Sequence, residues 1–389
     1  MISGGQSFGY WDTSQYLGKE IRDLKLKPNN EVRGIIAGGG TGGHLFPGVA
    51  IAREICRRYQ RASMLFVTGR RKMETEILTR SGFCQTSIIV EGLKGMGWKK
   101  GTIVLLKLPL SFFQSISIIK RFSPHLVLGV GGYSAGPVCL AARLMGIPTA
   151  IHEQNSFPGL TNRILCRIVD RVFISFEESR KYFPGGSLYL TGNPLREELL
   201  IEKKPDDKGN KKFTILVVGG SQGARAINKA FVAALEILKS KGEDPLSIHQ
   251  TGETDYSQVV EAYRQRGLKG DIMPFIQDMA EAYHLADIVV SRAGATTVSE
   301  LAALGKPSIL IPYPHAANRH QEINARMLVQ AGGAEMMLQE DLSGEGLAGI
   351  LMKYMNNRRV LREMGAQAQK MGQGDAAKDI VNQLVDMIK

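Results

Sequence analysis

The sequence is poor in cysteine and has none of the spacings with which cysteines bind zinc or build a disulfide framework. Its four cysteines are scattered over 389 residues without a C-x-x-C pair. Zinc sites and disulfide scaffolds need closely spaced or repeated thiols. We therefore predict four reduced thiols with a structural role, at Cys56, Cys84, Cys139 and Cys166.

Long hydrophobic runs are also missing. No uncharged stretch of about 18 apolar residues occurs, so the sequence predicts no membrane-spanning helix. The first 30 residues lack the basic start and the following apolar block that a signal peptide needs. We therefore expect the protein to stay in the cytoplasm.

Basic charge is present in excess, but only in the first half of the chain. Residues 1–200 contain 26 Lys and Arg against 14 Asp and Glu, whereas residues 201–389 contain 23 of each kind. A basic surface attracts acidic partners. Three classes of partner remain open on this evidence: a nucleic acid, an anionic membrane surface and a phosphorylated substrate.

Both halves of the chain alternate short apolar runs with amphipathic stretches. Such alternation predicts βαβ units and parallel sheets. A polar stretch with Pro205 and Gly209 separates the two halves and is typical of a linker. We predict an α/β fold of two facing, doubly wound, Rossmann-like domains with a cleft between them. The predicted segments are an extension over residues 1–30, a first domain over 31–201, a linker over 202–212 and a second domain over 213–389.

Glycine-rich turns follow the first strand candidate of each half. The stretch "GGGTGGHLFPG" contains G-x-G-x-x-G at Gly38, Gly40 and Gly43, and "GGSQGAR" at 219–225 repeats the arrangement. Glycine permits a tight turn, and the N-terminus of the following helix presents N–H groups to an anion. A third turn, "GVGGYSAGP", occupies 129–137. One such turn could serve packing alone, but three at strand ends indicate phosphate binding.

A dinucleotide-dependent oxidoreductase is one alternative. An enzyme that uses NAD needs an acidic residue after the second strand to bind the ribose. Here that strand is followed by Arg70, Arg71 and Lys72, which would suit the additional phosphate of NADP. This alternative does not explain the second glycine turn beyond the linker.

The densest group of polar residues lies between positions 291 and 325. Ala295 to Thr297 would begin a helix with amides and hydroxyls directed at an anion, and Glu300 could accept hydrogen bonds from a ribose diol. Gln321 and Asn324 share a helical face, and their amides suit sugar hydroxyls. Helix caps and surface amides are the ordinary alternative for each residue taken singly.

Sugar-nucleotide enzymes that use a divalent ion usually contain an Asp-x-Asp pair, and the chain has none. We therefore expect no metal ion. The charge of a leaving diphosphate would instead be stabilised by helix N-termini and backbone amides.

Seven motifs, in chain order, resemble those of the MurG family of bacterial glycosyltransferases: "GGGTGGHLFPG", "GVGGYSAGP", "IHEQNSFPGLTN", "TGNPLR", "GGSQGA", "FIQDMAEAY" and "RAGATTVSELAALGKPSILIPYPHAANRHQEINA". The resemblance covers residues 34–325. It implies a GT-B fold and cofactor-free, inverting transfer of N-acetylglucosamine from UDP-N-acetylglucosamine to the 4-hydroxyl of the N-acetylmuramoyl group of lipid I. The product would be lipid II, a precursor of peptidoglycan. Another GT-B transferase that uses a UDP-sugar remains an alternative.

The resemblance also implies substrate-binding residues. Those of the first half are Thr41, Gly42, Gly43, Asn155 and Arg196. Those of the second half are Ser221, Ile276, Ala295, Thr296, Thr297, Val298, Ser299, Glu300 and Gln321, with Ile276 as the uracil contact and Gln321 as the residue that reads the sugar.

Two residues are candidates for the catalytic base that deprotonates the acceptor hydroxyl. His44 is the first choice, because an imidazole titrates near neutral pH and this one lies at the first glycine turn. Glu153 is the second choice, at a strand end. His44 could instead bind the acceptor diphosphate as a cation or a donor.

Residues 92–122 combine six basic residues with Leu, Ile, Phe and Trp98 and contain no acidic residue. This composition favours a helix at an anionic membrane interface. An amphipathic helix packed on the sheet is the alternative. The resemblance implies a peripheral protein on the cytoplasmic face of the bacterial inner membrane, no nucleic-acid partner, and other cell-wall enzymes as further partners. A membrane scaffold without catalytic activity is the remaining rival.

We make one prediction for each end of the chain. Members of the family usually begin almost at the first strand, whereas 30 residues precede Glu31 here. We expect this extension to be disordered and dispensable for activity. The resemblance also leads us to expect the final helix to pack back on the first domain.

Overall fold

Two parallel β-sheets, one in each half of the chain, organise the protein. The computed structural model describes residues 31–90, 98–185, 187–201, 212–220 and 223–388. The strands of the first sheet are β1 (Glu31–Ala37), β2 (Arg61–Thr68), β3 (Cys84–Ser87), β4 (Leu126–Gly129), β5 (Thr149–Glu153), β6 (Arg171–Ile174) and β7 (Ser187–Leu190). The strands of the second sheet are β8 (Thr214–Val218), β9 (Leu246–Gln250), β10 (Asp271–Met273), β11 (Ile288–Ser291), β12 (Ser308–Leu310) and β13 (Ala334–Met336).

Helices connect the strands. Those of the first half are α1 (Gly42–Arg58), α2 (Lys72–Arg80), α3 (Trp98–Phe122), α4 (Ala135–Leu144), α5 (Leu160–Leu165) and α6 (Glu197–Leu200), with a 3-10 helix at Glu177–Tyr182. Those of the second half are α7 (Arg225–Ser240), α8 (Tyr256–Arg266), α9 (Met279–Leu285), α10 (Ala295–Ala303), α11 (His320–Gln330), α12 (Gly344–Met355), α13 (Arg358–Lys370) and α14 (Ala376–Asp386), with a 3-10 helix at Ala317–Arg319.

The strand order places a switch point in each sheet. The first sheet has the order β3-β2-β1-β4-β5-β6-β7 and the second the order β10-β9-β8-β11-β12-β13. All strand pairs are parallel, with Ile35 of β1 opposite both Leu65 and Val127. This topology confirms the predicted class of two doubly wound α/β sheets. Ligands of such sheets bind at the carboxyl ends of the strands beside the switch point, here β1/β4 and β8/β11.

Some predicted segments fall outside this description. The extension over residues 1–30 and residues 202–211 of the predicted linker lie outside the described residues.

The strands β3 and β13 do not coincide with apolar runs of strand length in the sequence. Both are short edge strands, "CQTS" and "AEM". An edge strand packs less apolar surface, so its sequence carries a weak hydrophobic signal.

The four cysteines are free thiols. Cys139 and Cys166 are buried in the core beside the first sheet. Burial raises the pKa of the Cys139 thiol to about 12, so it remains protonated at neutral pH. Cys56 and Cys84 are exposed, so a structural role is supported for only two of the four.

Helix α14 packs against helix α1. Ile380, Val381 and Leu384 of α14 are buried in one cluster with Val49 and Ile55 of α1. Each such side chain contributes about 1.5–3 kcal/mol when it is removed from water. The C-terminal segment therefore adds to the core that covers the first sheet.

Each sheet also buries one neutral histidine. His152 in β5 and His249 in β9 are both fully buried. Burial lowers the pKa of His152 to about 4 and that of His249 to about 3. In the unfolded chain a histidine titrates near pH 6.5. Between these values the unfolded chain binds more protons than the folded protein, so acid favours unfolding.

We expect the free energy of unfolding to fall as the pH is lowered from about 6.5 towards 4, by about 1.4 kcal/mol per pH unit for each of these histidines. Urea denaturation at a series of pH values measures the slope. His249→Gln should remove the part of this slope that His249 contributes, because glutamine does not titrate. An unchanged slope in this variant would show that His249 is not neutral in the folded protein.

Candidate active site

The first glycine turn packs against the turn that follows β4. The amide of Gly38 donates to Val67 O at 3.1 Å, and the amide of Gly39 donates to Gly131 O at 3.3 Å. Gly132 has a φ of +82°, and a Cβ atom there would lie 2.5 Å from Gly39 O. Only glycine permits this approach. The first and third glycine turns of the sequence thus meet at the switch point of the first sheet.

A buried carboxylate from α2 braces the same turn. Glu74 is 2% exposed and accepts a hydrogen bond from the amide of Gly40. Arg71 donates from a guanidinium nitrogen to Gly40 O at 2.6 Å. The amides of Gly38, Gly39 and Gly40 therefore form hydrogen bonds within the protein. Arg71, which the NADP alternative needs for the additional phosphate, is bonded to the turn. This geometry argues against dinucleotide binding.

The N-terminus of α1 directly follows this turn. Thr41 is the N-cap residue, and its carbonyl accepts hydrogen bonds from the amides of His44 and Leu45. The amides of Gly42 and Gly43 come before these first helical bonds. Amides at this position and the helix dipole attract anions. Three of the predicted binding residues, Thr41 to Gly43, therefore lie together at this helix N-terminus.

His44 lies in the first turn of α1 and is partly exposed. Its Nδ1 atom is 2.9 Å from Oε1 of Gln154, which directly follows β5. Gln154 is 1% exposed and is not among the predicted site residues. Its position at the carboxyl end of a central strand is the signal that points to it.

The second predicted base, Glu153, is 1% exposed. One of its oxygens accepts hydrogen bonds from the amide and the side chain of Asn155, at 3.0 and 3.1 Å. The other oxygen accepts from Gly159 N at 3.0 Å and from Asn162 Nδ2 at 2.9 Å. Both carboxylate oxygens are thus occupied by donors of the same loop. Glu153 organises the loop that carries Asn155.

The two halves meet where α1 and α10 begin. Pro47 lies inside α1 and has no N–H group, so the carbonyl of Gly43 lacks its intrahelical donor. Oγ1 of Thr296 in α10 donates to this carbonyl at 3.3 Å. The N-termini of the two helices therefore lie side by side, and His44 is adjacent to their contact.

The first turn of α10 has the same arrangement as that of α1. Ala295, Thr296 and Thr297 follow the N-cap residue Gly294, and their amides precede the first helical bond. Two other predicted residues of this segment lie elsewhere. Val298 is 3% exposed and packs in the core, and Ser299 lines a cavity together with Asn193.

Glu300 forms a buried ion pair between the halves. Its Oε1 accepts a hydrogen bond from Arg196 at 2.9 Å, and its Oε2 accepts one from Tyr283 OH at 2.9 Å. The Arg196 guanidinium lies 5.0 Å from the centroid of the Phe46 ring on α1. Burial and the charge of Glu300 raise the pKa of Tyr283 well above its ordinary value. Two predicted residues, Arg196 and Glu300, are thus brought together. Tyr283 and Phe46 are not among the predicted residues.

Asn324 does not face a ligand. It is fully buried, and its Oδ1 accepts a hydrogen bond from Ser156 Oγ at 2.7 Å. Its Nδ2 donates to Ala293 O at 3.3 Å. The prediction that Asn324 reads sugar hydroxyls is therefore wrong, because the helical face that it occupies is covered by the first half. Gln321 is partly exposed, and its Oε1 accepts a hydrogen bond from Tyr313 N at 2.9 Å.

A glutamine braces the second glycine turn. Gln250 at the end of β9 donates from Nε2 to Gly220 O at 3.0 Å and accepts a hydrogen bond from Ile276 N at 3.0 Å. It ties the segment of Ile276, which is 4% exposed, to the turn. The other predicted residue of this region, Ser221, lies outside the described residues.

Exposed apolar side chains cover three neighbouring helices of the first half, α3, α4 and α5. Of the predicted membrane segment 92–122, the structure describes the backbone from Trp98 and side chains from Leu108. The exposed residues are Leu108, Leu110, Phe113, Leu140, Leu144, Leu160 and Ile164, which we call the apolar surface. Arg143 and Arg163 are exposed on α4 and α5. The contributions of α4 and α5 are not apparent in the sequence, because their apolar positions resemble those of core helices.

Metal-ligand clusters and membrane-spanning helices are absent from the described part of the chain. No three His, Cys, Asp or Glu side chains lie close enough there to bind a metal ion. No helix among those residues is long and apolar enough to cross a membrane.

Comparison with known proteins identifies the family. The model described as "Glycosyltransferase family 28 N-terminal domain" matches residues 35–174, and "Glycosyltransferase family 28 C-terminal domain" matches residues 214–383. A protein of Syntrophus aciditrophicus is 48% identical over 358 residues, which are 92% of this chain and 99% of that protein. One of Myxococcus xanthus is 44% identical over 354 residues, covering 91% and 92%. Both are named "UDP-N-acetylglucosamine--N-acetylmuramyl-(pentapeptide) pyrophosphoryl-undecaprenol N-acetylglucosamine transferase".

Solved structures agree with these matches. The "Crystal structure of acinetobacter baumannii MurG" has 31% sequence identity and a TM-score of 0.73, and the match covers 91% of this chain and 99% of that one. The "S. aureus MnaA-UDP co-structure" has 13% identity and a TM-score of 0.63, and it shows the shared fold alone. These matches confirm the GT-B fold and the resemblance inferred from the motifs. The chain belongs to glycosyltransferase family 28 and, within it, to the MurG family.

Proposed function

We propose that the protein transfers N-acetylglucosamine from UDP-N-acetylglucosamine to the 4-hydroxyl of the N-acetylmuramoyl group of lipid I, with inversion, to form lipid II. The observation that carries the proposal is the contact between Thr296 and Gly43, which sets two helix N-termini side by side. Each N-terminus suits one diphosphate. A transferase that joins a nucleotide sugar to a diphosphate-linked lipid needs two such sites, and the name of the curated relatives describes this reaction.

The donor would bind to the second half. The amides of Ala295 to Thr297 would hold its diphosphate, and the segment of Ile276 would contact the uracil. Glu300 would accept hydrogen bonds from the ribose, and Gln321 would contact the sugar. Arg196, which is paired with Glu300, supplies positive charge near the same helix N-terminus. Ser221 and Asn155 complete the proposed set.

The chemistry would be a single displacement. Nε2 of His44 takes the proton of the acceptor 4-hydroxyl, and the oxygen attacks the anomeric carbon. The bond from that carbon to the UDP oxygen breaks, and the amides at the start of α10 stabilise the negative charge of the leaving UDP. We assign the base to His44 rather than Glu153, because four hydrogen bonds hold the Glu153 carboxylate within its loop.

A transfer assay tests the proposal. Labelled UDP-N-acetylglucosamine and a lipid I analogue should give labelled product without added metal. UDP should raise the melting temperature and NADP should not, because only a ligand of the folded state stabilises it. Absence of transfer in a protein that UDP stabilises would indicate another acceptor. Stabilisation by NADP alone would support the oxidoreductase alternative.

We further propose that the apolar surface docks on the cytoplasmic face of the inner membrane, where lipid I would be the acceptor. Phe113 is 66% exposed and Leu144 is 69% exposed. Isolated exposed apolar residues are common, but a group on three adjacent helices with arginines beside it marks an interaction surface. An anionic leaflet attracts those arginines.

Replacing both Phe113 and Leu144 by serine should weaken binding to vesicles of phosphatidylcholine and phosphatidylglycerol about tenfold or more, because two apolar side chains no longer leave water. Cosedimentation measures the binding. Leu246→Ser is the matched control, since Leu246 is 41% exposed in the second half. Equal binding by the double variant and the wild type would contradict the proposed surface.

A further inference from the structure

We infer that Gln154 is a positioning residue that fixes the tautomer of His44 and keeps its Nε2 atom unprotonated towards the acceptor. The inference rests on the proposed function, in which His44 is the base. It is carried by a chain of hydrogen bonds that begins at the carbonyl of Gly192, passes through His152 and Gln154 and ends at His44. Each bond in the chain determines the direction of the next.

The first link sets the tautomer of His152. Gly192 O lies 3.1 Å from Nε2 of His152. A carbonyl only accepts hydrogen bonds, so Nε2 carries the hydrogen. Burial lowers the pKa of His152 to about 4, and the ring is therefore neutral near pH 7. Its Nδ1 atom consequently has a lone pair and accepts a hydrogen bond.

The second link sets the orientation of the Gln154 amide. One end of the amide is 3.0 Å from Nδ1 of His152 and 3.0 Å from Val130 O. Both partners are acceptors, so this end is the NH₂ group, which has two hydrogens to donate. The flipped amide would place its oxygen against two acceptors inside the protein, where unmade hydrogen bonds are costly. Oε1 of Gln154 therefore faces His44.

The third link sets the tautomer of His44. Oε1 of Gln154 only accepts, and it lies 2.9 Å from Nδ1 of His44. Nδ1 of His44 therefore donates, and in the neutral ring Nε2 keeps its lone pair. Without Gln154 the hydrogen could occupy either ring nitrogen, and a ring with a hydrogen on Nε2 cannot accept the acceptor's proton there.

The same hydrogen bonds prevent transfer of the proton from His44 to Gln154 or His152. The amide of Gln154 does not titrate near neutral pH, and Nδ1 of His152 already accepts the amide N–H. The proton that leaves the acceptor hydroxyl therefore stays on Nε2 of His44, while the bond from Nδ1 to Gln154 stabilises the charged ring. Because His44 is partly exposed, the proton then leaves to solvent.

Gln154→Leu tests the inference in the full-length enzyme. We expect kcat to fall about 10–100-fold with the KM for UDP-N-acetylglucosamine changed less than about threefold, since Gln154 contacts the proton-accepting group and none of the proposed donor-binding residues. Tyr263→Phe is the matched control. It removes the OH that lies 3.1 Å from Nδ1 of the buried His249 in the second half, so it takes a partner from an imidazole outside the proposed mechanism. Its kcat should match the wild type.

Two further measurements separate positioning from a loss of stability. Nitrogen-15 NMR of histidine-labelled protein should show His44 protonated at Nδ1 in the wild type and at Nε2, or at both in exchange, in Gln154→Leu. In the His44→Ala background, Gln154→Leu should lower kcat no further, because both changes remove the same function.

The outcomes are distinct. Protonation of His44 at Nε2 in the wild type overturns the inference, and this measurement needs no variant to fold. An equal effect of Gln154→Leu with and without His44 also overturns it. If His44→Ala keeps full kcat, the proposed base fails whatever Gln154 does. If His44→Ala loses activity and Gln154→Leu keeps it, the inference alone fails.

Discussion

Replacing His44 by alanine is expected to lower kcat about 10²–10⁴-fold while the Kd for UDP stays nearly unchanged, because a positioned general base contributes that factor. The imidazole lies beside the contact between α1 and α10, and His44 is not among the proposed UDP contacts, most of which belong to the second half. Removing the imidazole therefore removes the proton acceptor without removing a contact to the UDP of the sugar donor. Steady-state kinetics with a lipid I analogue and calorimetric titration of UDP measure the two quantities.

A histidine at the opposite end of the first sheet provides the control. His125 precedes β4, and its Nδ1 accepts a hydrogen bond from Arg33 N at 3.2 Å. His125→Ala should leave kcat unchanged. If His44→Ala instead keeps kcat within a few-fold and raises only the KM of the acceptor, His44 binds the acceptor diphosphate and is not the base.

Replacing Glu300 by alanine is expected to have the largest combined effect on donor binding and stability. Glu300 is 4% exposed as a residue, and its carboxylate pairs with Arg196 and Tyr283, so its loss leaves a largely buried guanidinium and a buried hydroxyl without their acceptor. Breaking a buried pair in this way costs about 3–5 kcal/mol. Loss of the ribose contact should weaken UDP binding about 10–100-fold, the effect of removing charge-assisted hydrogen bonds.

Urea denaturation and calorimetric titration of UDP measure both effects. The matched control is Glu335→Ala, because Glu335 accepts a hydrogen bond from Tyr354 OH at 2.7 Å and pairs with Lys353 in the same half. Its side chain is 26% exposed, against 5% for Glu300, so we expect a smaller loss of stability and unchanged UDP binding. Wild-type affinity for UDP in Glu300→Ala would refute the proposed ribose contact.

The fold could be predicted from the sequence because its signals are local. Apolar runs of strand length and glycine turns occur within a few residues of one another, and both turns follow the first strand of their sheet as expected. The two strands that the sequence does not indicate, Cys84–Ser87 and Ala334–Met336, lie at sheet edges, where little apolar surface is buried. Periodicity also places Gln321 and Asn324 on one helix but does not tell which of them the first half covers.

The sequence by itself determined two doubly wound sheets, their glycine turns and the helix N-termini that follow them, since each depends on neighbouring residues. Only the tertiary structure decided which side chains face each other. Gln154 meets His44 across 110 positions, and Arg196 meets Glu300 across 104. Such partners are joined by strand order and by the packing of two domains. A local sequence pattern specifies neither the strand order nor the domain packing. The tautomer of His44 and the burial of Glu153 and Glu300 therefore follow from the fold alone.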